Sequence, residues 1–397
     1  MSSTLGDFDP SSEGFRRNPY PYYSQLRKLG PVHYLPRTGS YWFLSHAGAS
    51  RILTDKRFGK RVDPVSPQSE GDLEPMEVFG RTMLFVDPPD HTRLRGLVNM
   101  AFTPKMVESM EPRIREIAEG LLSGVESKAE FDVVAEFAFP LPAMVIAEIL
   151  GVPREDRGRF KEWSDKIIQL LDFTLPEEEH RSAYRAQLEL ARYFSGLIER
   201  RRGSPSGDLI SELIRVEEGG DRLSPTELLG MCMLLLVAGH ETTTNLIANG
   251  FYTLLKNPRQ LSLLRDNRGL MQSAVEELLR YEPPVQRTAR VALDDLEVEG
   301  VKLKRGTVAV AVIGAANRDP QVFNDPDTLD ITRQNNHHLS FGKGIHFCLG
   351  APLARMEAGI AFNTLLSRLP NPKLVEEPEW KPNTLIRGLK RLIVSPA

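Results

Sequence analysis

The stretch Phe341-Gly342-Lys343-Gly344-Ile345-His346-Phe347-Cys348-Leu349-Gly350, continuing into Ala351-Pro352-Leu353-Ala354-Arg355, decides how this chain reads. Two glycines before the cysteine and one after it permit a tight loop whose backbone N–H groups turn toward one point. An apolar run over about 351–369 follows and has the spacing of a helix. A thiolate is stabilised in that setting by N–H donors and by the positive end of the helix dipole. The same donors tune how much electron density a sulfur gives to a bound metal. A lone cysteine is otherwise buried filler or a nucleophile.

A second segment carries chemistry. Ser224-Pro225-Thr226-Glu227 has an N-cap serine, a proline at the first helical position and an acid three residues after the serine. It predicts a long apolar helix running to Lys256 and ended by Asn257-Pro258. Such a helix, hydrophobic nearly all round, must cross the middle of the molecule. Inside it lies Ala238-Gly239-His240-Glu241-Thr242-Thr243-Thr244, whose glycine and threonines favour a local distortion. A carboxylate beside a hydroxyl is costly to bury without a purpose. His240-Glu241 could open an H-E-x-x-H zinc site, but the second histidine position is Thr244, so that reading fails.

The remaining chain is organised around these segments. Helical spacing recurs over about 112–123, 141–150, 159–171, 181–202, 208–216 and 270–281. Strand-like runs lie at 32–35, 42–44, 296–301, 301–304, 307–313 and 392–394. Residues 62–77 read as a long proline-rich loop, and 317–336 as mostly irregular. A mostly α chain with a minor β portion and one domain over 1–397 is expected, with 1–17 as a flexible lead-in. A near-balanced charge, 50 Lys+Arg against 53 Asp+Glu, asks for neither nucleic acid nor an anionic membrane. No apolar run approaches the roughly 18 residues of a membrane span, and the N-terminus has no signal-peptide core. With only two cysteines, Cys232 and Cys348, no disulfide framework organises the fold, and a cytoplasmic, monomeric protein is expected. Cys232, among Met231, Met233 and leucines, reads as packing.

The cysteine loop resembles the haem-binding signature of the cytochrome P450 superfamily, F-x-x-G-x-[H/R]-x-C-x-G. Phe341, Gly344, His346, Cys348 and Gly350 match each fixed position. The helix segment is similar to the family's A-G-x-[D/E]-T through Ala238, Gly239, Glu241 and Thr242. Glu277-Leu278-Leu279-Arg280 matches its E-x-x-R, His91 to Arg95 its H-x-x-x-R, and Arg290 falls where the family has a propionate arginine on a strand. The resemblance spans the chain from about residue 7 onward.

That resemblance implies a single haem domain of the soluble bacterial type holding haem b, with Cys348 as the axial iron ligand. Phe341 would lie beside the thiolate. His91, Arg95, Arg290 and His346 would meet the propionates, and Gly344, Gly350, Ala238 and Gly239 would shape the haem's surroundings. Thr242 and Glu241 would serve dioxygen activation, and Glu277 with Arg280 would form a structural pair whose third member the sequence leaves open. It further implies a monooxygenase that takes electrons from a separate ferredoxin or flavodoxin with its reductase. Lys105, Lys343 and Arg355 would contribute to a basic docking face for that carrier. Leu84, Phe85, Val237, Ala238, Val285 and Ile386 are candidate pocket walls, so a hydrophobic small molecule is expected: a macrolide, steroid, terpenoid or fatty acid. A peroxide-dependent peroxygenase of the same fold and a non-catalytic haem sensor or electron carrier are the alternatives. The Glu241-Thr242 pair, which neither requires, disfavours both.

Overall fold

The computed structural model describes residues 8–61, 75–167, 177–218 and 222–396. It opens with helices α1 (Glu13–Arg17) and α2 (Tyr20–Leu29), strands β1 (Val32–Leu35) and β2 (Ser40–Phe43), helix α3 (His46–Thr54) and the short β3 (Phe58–Gly59). A helical body follows: α4 (Pro75–Gly80), α5 (Asp90–Ala101), α6 (Pro104–Ser109), α7 (Glu111–Leu121), then β4 (Phe131–Asp132), α8 (Pro140–Ile149), α9 (Arg157–Ile167), α10 (Glu177–Gly203), α11 (Leu209–Glu218), α12 (Pro225–Lys256), α13 (Pro258–Asp266) and α14 (Met271–Tyr281). Strands β5 (Thr288–Ala292), β6 (Leu296–Val298), β7 (Val301–Leu303) and β8 (Val308–Ala311) come next, then α15 (Ile313–Ala316), α16 (Ala351–Arg368), β9 (Lys373–Leu374) and β10 (Ile393–Ser395).

The mostly α architecture with a smaller β portion is as the sequence implies. The helix expected over 159–171 is present as far as Ile167, its remainder lying outside the described residues, as do positions 62–74 of the proline-rich loop. A π-helical turn at Val134–Ala138 has no counterpart in the sequence reading.

Helix α12 is the axis of the fold. Its capping box forms as the sequence dictates: Ser224 Oγ accepts the Glu227 N–H at 3.3 Å, and the Glu227 carboxylate accepts the Ser224 N–H at 2.8 Å. Helices α8, α10, α14, α16 and α4 pack round it, which is why its apolar residues run nearly all round the barrel of the helix.

The main sheet has the order β1-β2-β8-β5-β3. Strand β8 joins β2 in parallel, with Tyr41 opposite Ala309, and β5 antiparallel, with Arg290 also opposite Ala309. The sheet thereby holds Arg290 on its next-to-last strand, with only β3 beyond it.

The expected flexible lead-in is corrected for its described part. Glu13–Arg17 is a helix capped by Ser12, and Phe15 is buried against Tyr23, with Phe8 edge-on to its ring at 5.4 Å. An aromatic side chain with this much buried area anchors the segment. From the far end of the chain Arg387 donates to the carbonyls of Arg16 and Arg17. Residues 1–7 lie outside the described residues.

Candidate active site

The cysteine loop folds as a turn closed on itself. The Cys348 amide donates to the Phe341 carbonyl at 2.8 Å, and Gly342 and Gly344 both take φ of +72°. At Gly344 a side chain is impossible on two counts, since a Cβ would also lie 2.6 Å from the Leu53 carbonyl oxygen. The N–H groups of Gly350 and Ala351, at the head of α16, aim at the Cys348 sulfur. Burial pushes the thiol up; those donors, with Arg95 and Arg355, pull the other way without reversing it. Gly350 has open space where a Cβ would stand.

Beside the loop, cations converge. The rings of His91 on α5 and His346 lie 4.2 Å apart. Both ring nitrogens of His91 and the Nε2 of His346 are buried without a hydrogen-bond partner. Arg95, one turn along α5 from His91, and Arg290 on β5 complete the expected set. Burial, followed by the charges of Arg290, Lys60, His91 and Arg95, drives the His346 imidazole far below its ordinary value. Burial lowers Arg290 to about 10.

Lys60, which the sequence reading did not single out, belongs to the same group. Burial and Arg290 lower its ammonium to about 7, and no motif marks it because it is placed only by the pairing of β3 with β5. The acid near this cluster, Asp87, is occupied by the backbone N–H groups of Lys60 and Arg61. Buried arginines beside imidazoles kept neutral, with ring nitrogens lacking partners, would be satisfied by an anion.

On α12, between Gly230 and Phe251, every residue is buried except Ala238, Gly239 and Thr242; Ala238 and Thr242, four residues apart, share one open face, while the side-chain position of Gly239 is closed by Ile146 of α8. Thr242 Oγ1 bonds back to the Ala238 carbonyl at 3.1 Å. Glu241 is turned elsewhere. Its Oε1 accepts from Lys381 Nζ at 2.8 Å and from Asn245 Nδ2 at 3.2 Å. Burial would raise its carboxyl, but Lys381 first, then His240 and Asn245, hold it below the usual carboxylate range. The two residues expected to act together are thus neighbours in sequence with separate partners. Lys381 was missed because 140 residues separate it from Glu241.

Glu277 and Arg280 form the buried pair expected of them, and the third member is Arg333, whose Nε lies 3.1 Å from Glu277 Oε2. Among the candidate pocket residues, Val285 and Ile386 meet across an antiparallel bridge, Leu84 and Phe85 are half-buried, and Val237 lies inside the core. The basic docking face needs a correction. Lys105 and Lys343 are exposed, but Arg355 is drawn to Glu276 at 2.6 Å and stacks on Phe341 at 4.5 Å. Apolar Ile345 and Phe347, 51% and 40% exposed, stand beside Lys343 instead. A separate cleft of about 960 Å³, walled by Arg16, Tyr20, Tyr252, Trp380 and Arg387, contains none of these site residues.

A thiol at a helix head, an apolar helix bared at one short stretch, and arginines without a carboxylate partner suit a propionate-bearing cofactor ligated through iron. That is the arrangement of haem-thiolate enzymes. Residues 59–384 match the family description "Cytochrome P450". The chain is 44% identical to the biotin biosynthesis cytochrome P450 of Bacillus subtilis (strain 168), covering 99% of both proteins. It is 42% identical to the cytochrome P450 monooxygenase PikC of Streptomyces venezuelae, covering 97% of this chain and 93% of that one. Among solved structures it superimposes with a TM-score of 0.90, at 42% identity and over 97% and 100% of the two chains, on P450BioI in complex with acyl carrier protein ligated to hexadec-9Z-enoic acid. The chain belongs to the cytochrome P450 family. It is accordingly a monooxygenase whose cofactor is haem b.

Proposed function

We propose that this protein hydroxylates or epoxidises a hydrophobic small molecule, using dioxygen and two electrons delivered by a separate ferredoxin or flavodoxin with its reductase. The observation that carries this reading is Cys348, set at the head of α16 with Gly350 and Ala351 N–H groups on its sulfur and Arg95 near it. Bound haem b supplies dioxygen binding and cleavage of the O–O bond, which thiolate ligation favours. Every other contribution comes from the chain.

Cys348 would hold the haem iron through its sulfur, and its N–H donors temper its charge. His91, Arg95, Arg290 and His346, joined by Lys60, would neutralise the propionates, restoring to His91 and His346 the hydrogen bonds they lack. Phe341 packs against the loop, and its carbonyl fixes the Cys348 amide. Ala238 presents little bulk on the open face of α12, and Gly239 lets Ile146 of α8 pack against the helix. Thr242 can turn its hydroxyl from the Ala238 carbonyl into that space and donate a hydrogen bond there. Glu241, ionised beside Lys381, is the nearest buried acid along the helix and could pass on a proton after taking one up from solvent.

Leu84, Phe85, Val285 and Ile386 supply apolar walls, consistent with a macrolide, steroid, terpenoid or fatty acid. Because a 42%-identical relative is solved with a hexadecenoyl acyl carrier protein, long-chain fatty acyl groups are the class to examine first. No helix among the described residues is long and apolar enough to cross a membrane. We place the protein in the cytoplasm as a monomer.

The ligation test is the absorption of the reduced protein under carbon monoxide. The wild type should give the red-shifted band of thiolate ligation, and Cys348→Ser should lose it. Retention of that band by the serine form would overturn the assignment. Turnover should then require the ferredoxin or flavodoxin system. Equal product with peroxide alone would favour the peroxygenase alternative.

A further inference from the structure

Strand β3 pairs antiparallel with β5, Phe58 opposite Ala292 and Gly59 opposite Val291. The next step in that register sets Lys60 beside Arg290. Cross-strand neighbours share one face of a sheet, and like charges placed so are destabilising unless something lies between them. The chain secures the arrangement all the same. Both Asp87 carboxylate oxygens accept the Lys60 N–H at 2.9 Å, and Oδ2 also accepts the Arg61 N–H at 3.2 Å. Gly59 admits that carboxylate, since a Cβ there would lie 2.7 Å from Asp87 Oδ2. The Asp87 carbonyl accepts the His91 N–H at 3.0 Å, so Lys60 and His91 are mounted on one residue.

Asp87 is thus taken up by backbone, and among the described residues no carboxylate forms an ion pair with either cation. Arg290 donates only to Thr288 Oγ1 at 3.3 Å and to the Ala289 carbonyl at 2.9 Å. The two respond differently to this setting. A guanidinium keeps its charge, and Arg290 falls only to about 10. A buried ammonium gives up its proton far more readily. Burial first, then Arg290, bring Lys60 to about 7, with Asp87 opposing them. The other titratable groups round Lys60 are His91 of α5 and His346 of the cysteine loop.

We propose that Lys60 is a proton-coupled clasp for haem: its amine gains a proton as a propionate is seated beside Arg290 and gives that proton up as the propionate leaves. The inference rests on the reading that places the propionates in this cluster. An anion between the two cations removes the repulsion that favours a neutral amine and supplies a charge-assisted hydrogen bond instead. Proton and propionate therefore bind together, each tightening the hold on the other. Loading raises the affinity of Lys60 for its proton. Its contribution to haem retention is accordingly complete below about 7 and fades as pH rises past that value.

The experiment starts from the haem-loaded protein and follows transfer of haem to excess apomyoglobin, by Soret absorption, between about pH 6 and about pH 9. Lys60→Met should lose haem about tenfold faster than the wild type at the acid end, the equivalent of one pKa unit gained on loading, and the two rates should converge at the alkaline end. The substitution removes a like charge from the flank of Arg290, so the fold should tolerate it. Lys60→Arg, whose charge does not titrate, should lack the wild type's added rise in rate with pH. Arg290→Gln should lose haem faster at every pH. If Lys60→Met follows the wild-type profile while Arg290→Gln loses haem faster, the role of Lys60 is overturned and the placement of the propionates stands. A Lys60→Met profile that is faster but parallel to the wild type overturns the proton coupling. Unchanged retention in Arg290→Gln overturns the placement and the clasp together.

Discussion

Glu277 and Arg280 meet carboxylate to guanidinium through two 2.8 Å hydrogen bonds, one turn apart on α14 and both wholly excluded from water. Arg280 also donates to the carbonyls of Asn317, Pro326 and Thr328, and Glu277 also accepts from Arg333, Asn336 and the Asp330 amide. The pair thus pins the irregular segment before the cysteine loop to α14. Arg280→Met removes the two-pronged partner of a buried carboxylate, leaving Arg333, Asn336 and the Asp330 amide, and should cost about 3–5 kcal/mol of stability. Arg280→Lys should rescue little, since an ammonium cannot reproduce the planar fork. Urea unfolding monitored by circular dichroism measures both.

Glu276 gives a pH dependence. Burial opposes its ionisation, yet hydrogen bonds from His338 and Arg355 hold its carboxyl at about 2, below its ordinary 4.5. A carboxyl depressed in the folded state stabilises the protein above the unfolded value, and that contribution is lost as pH falls from about 4.5 toward about 2. Partial solvent screening reduces it to roughly 1–2 kcal/mol. Glu276→Gln should therefore be less stable than the wild type at pH 7 and converge with it near pH 2, as read from thermal melts across the range.

Thr242 carries a prediction of its own. Thr242→Ala removes the hydroxyl on the open face of α12 without disturbing the Lys381–Glu241 contact. Reductant consumption should continue, hydrogen peroxide should accumulate, and product per reductant should drop by about tenfold or more. A sensor or carrier would show neither effect. Peroxide assay alongside product analysis decides it.

Charge reversal on the cysteine-loop side should separate two kinds of basic residue. Lys343→Glu should slow association with an acidic electron carrier, most strongly at low salt, with little change in melting temperature. Arg355→Glu should instead destabilise the protein, because it places a second carboxylate against Glu276. Stopped-flow reduction at two ionic strengths, with melting curves of each variant, tests the contrast.

Much of the site was legible because its chemistry is local. The turn glycines, Cys348 and the helix behind it form one short run, and the capping box and the Glu277–Arg280 spacing are each written within a helical turn. Arg290 and the His91–Arg95 pair could be assigned by resemblance. What escaped was long-range: Lys60 enters the cation cluster only through β3–β5 pairing, Arg333 joins Glu277 from 56 residues away, and Lys381 reaches Glu241 through the C-terminal turn. Arg355 was misjudged because its acid partner lies on another helix, 79 residues earlier. Spacing rules see neighbours on one element; they do not see which elements a fold brings together.

The hold of Arg387 on the carbonyls of Arg16 and Arg17 ties the order of synthesis to the order of assembly. On the ribosome helix α1 emerges long before the arginine that secures it, and this clasp cannot close until residue 387 has been made. Docking of α1 is therefore completed late. A nascent chain stalled short of residue 387 would carry its opening aromatic residues unfastened, within reach of chaperones.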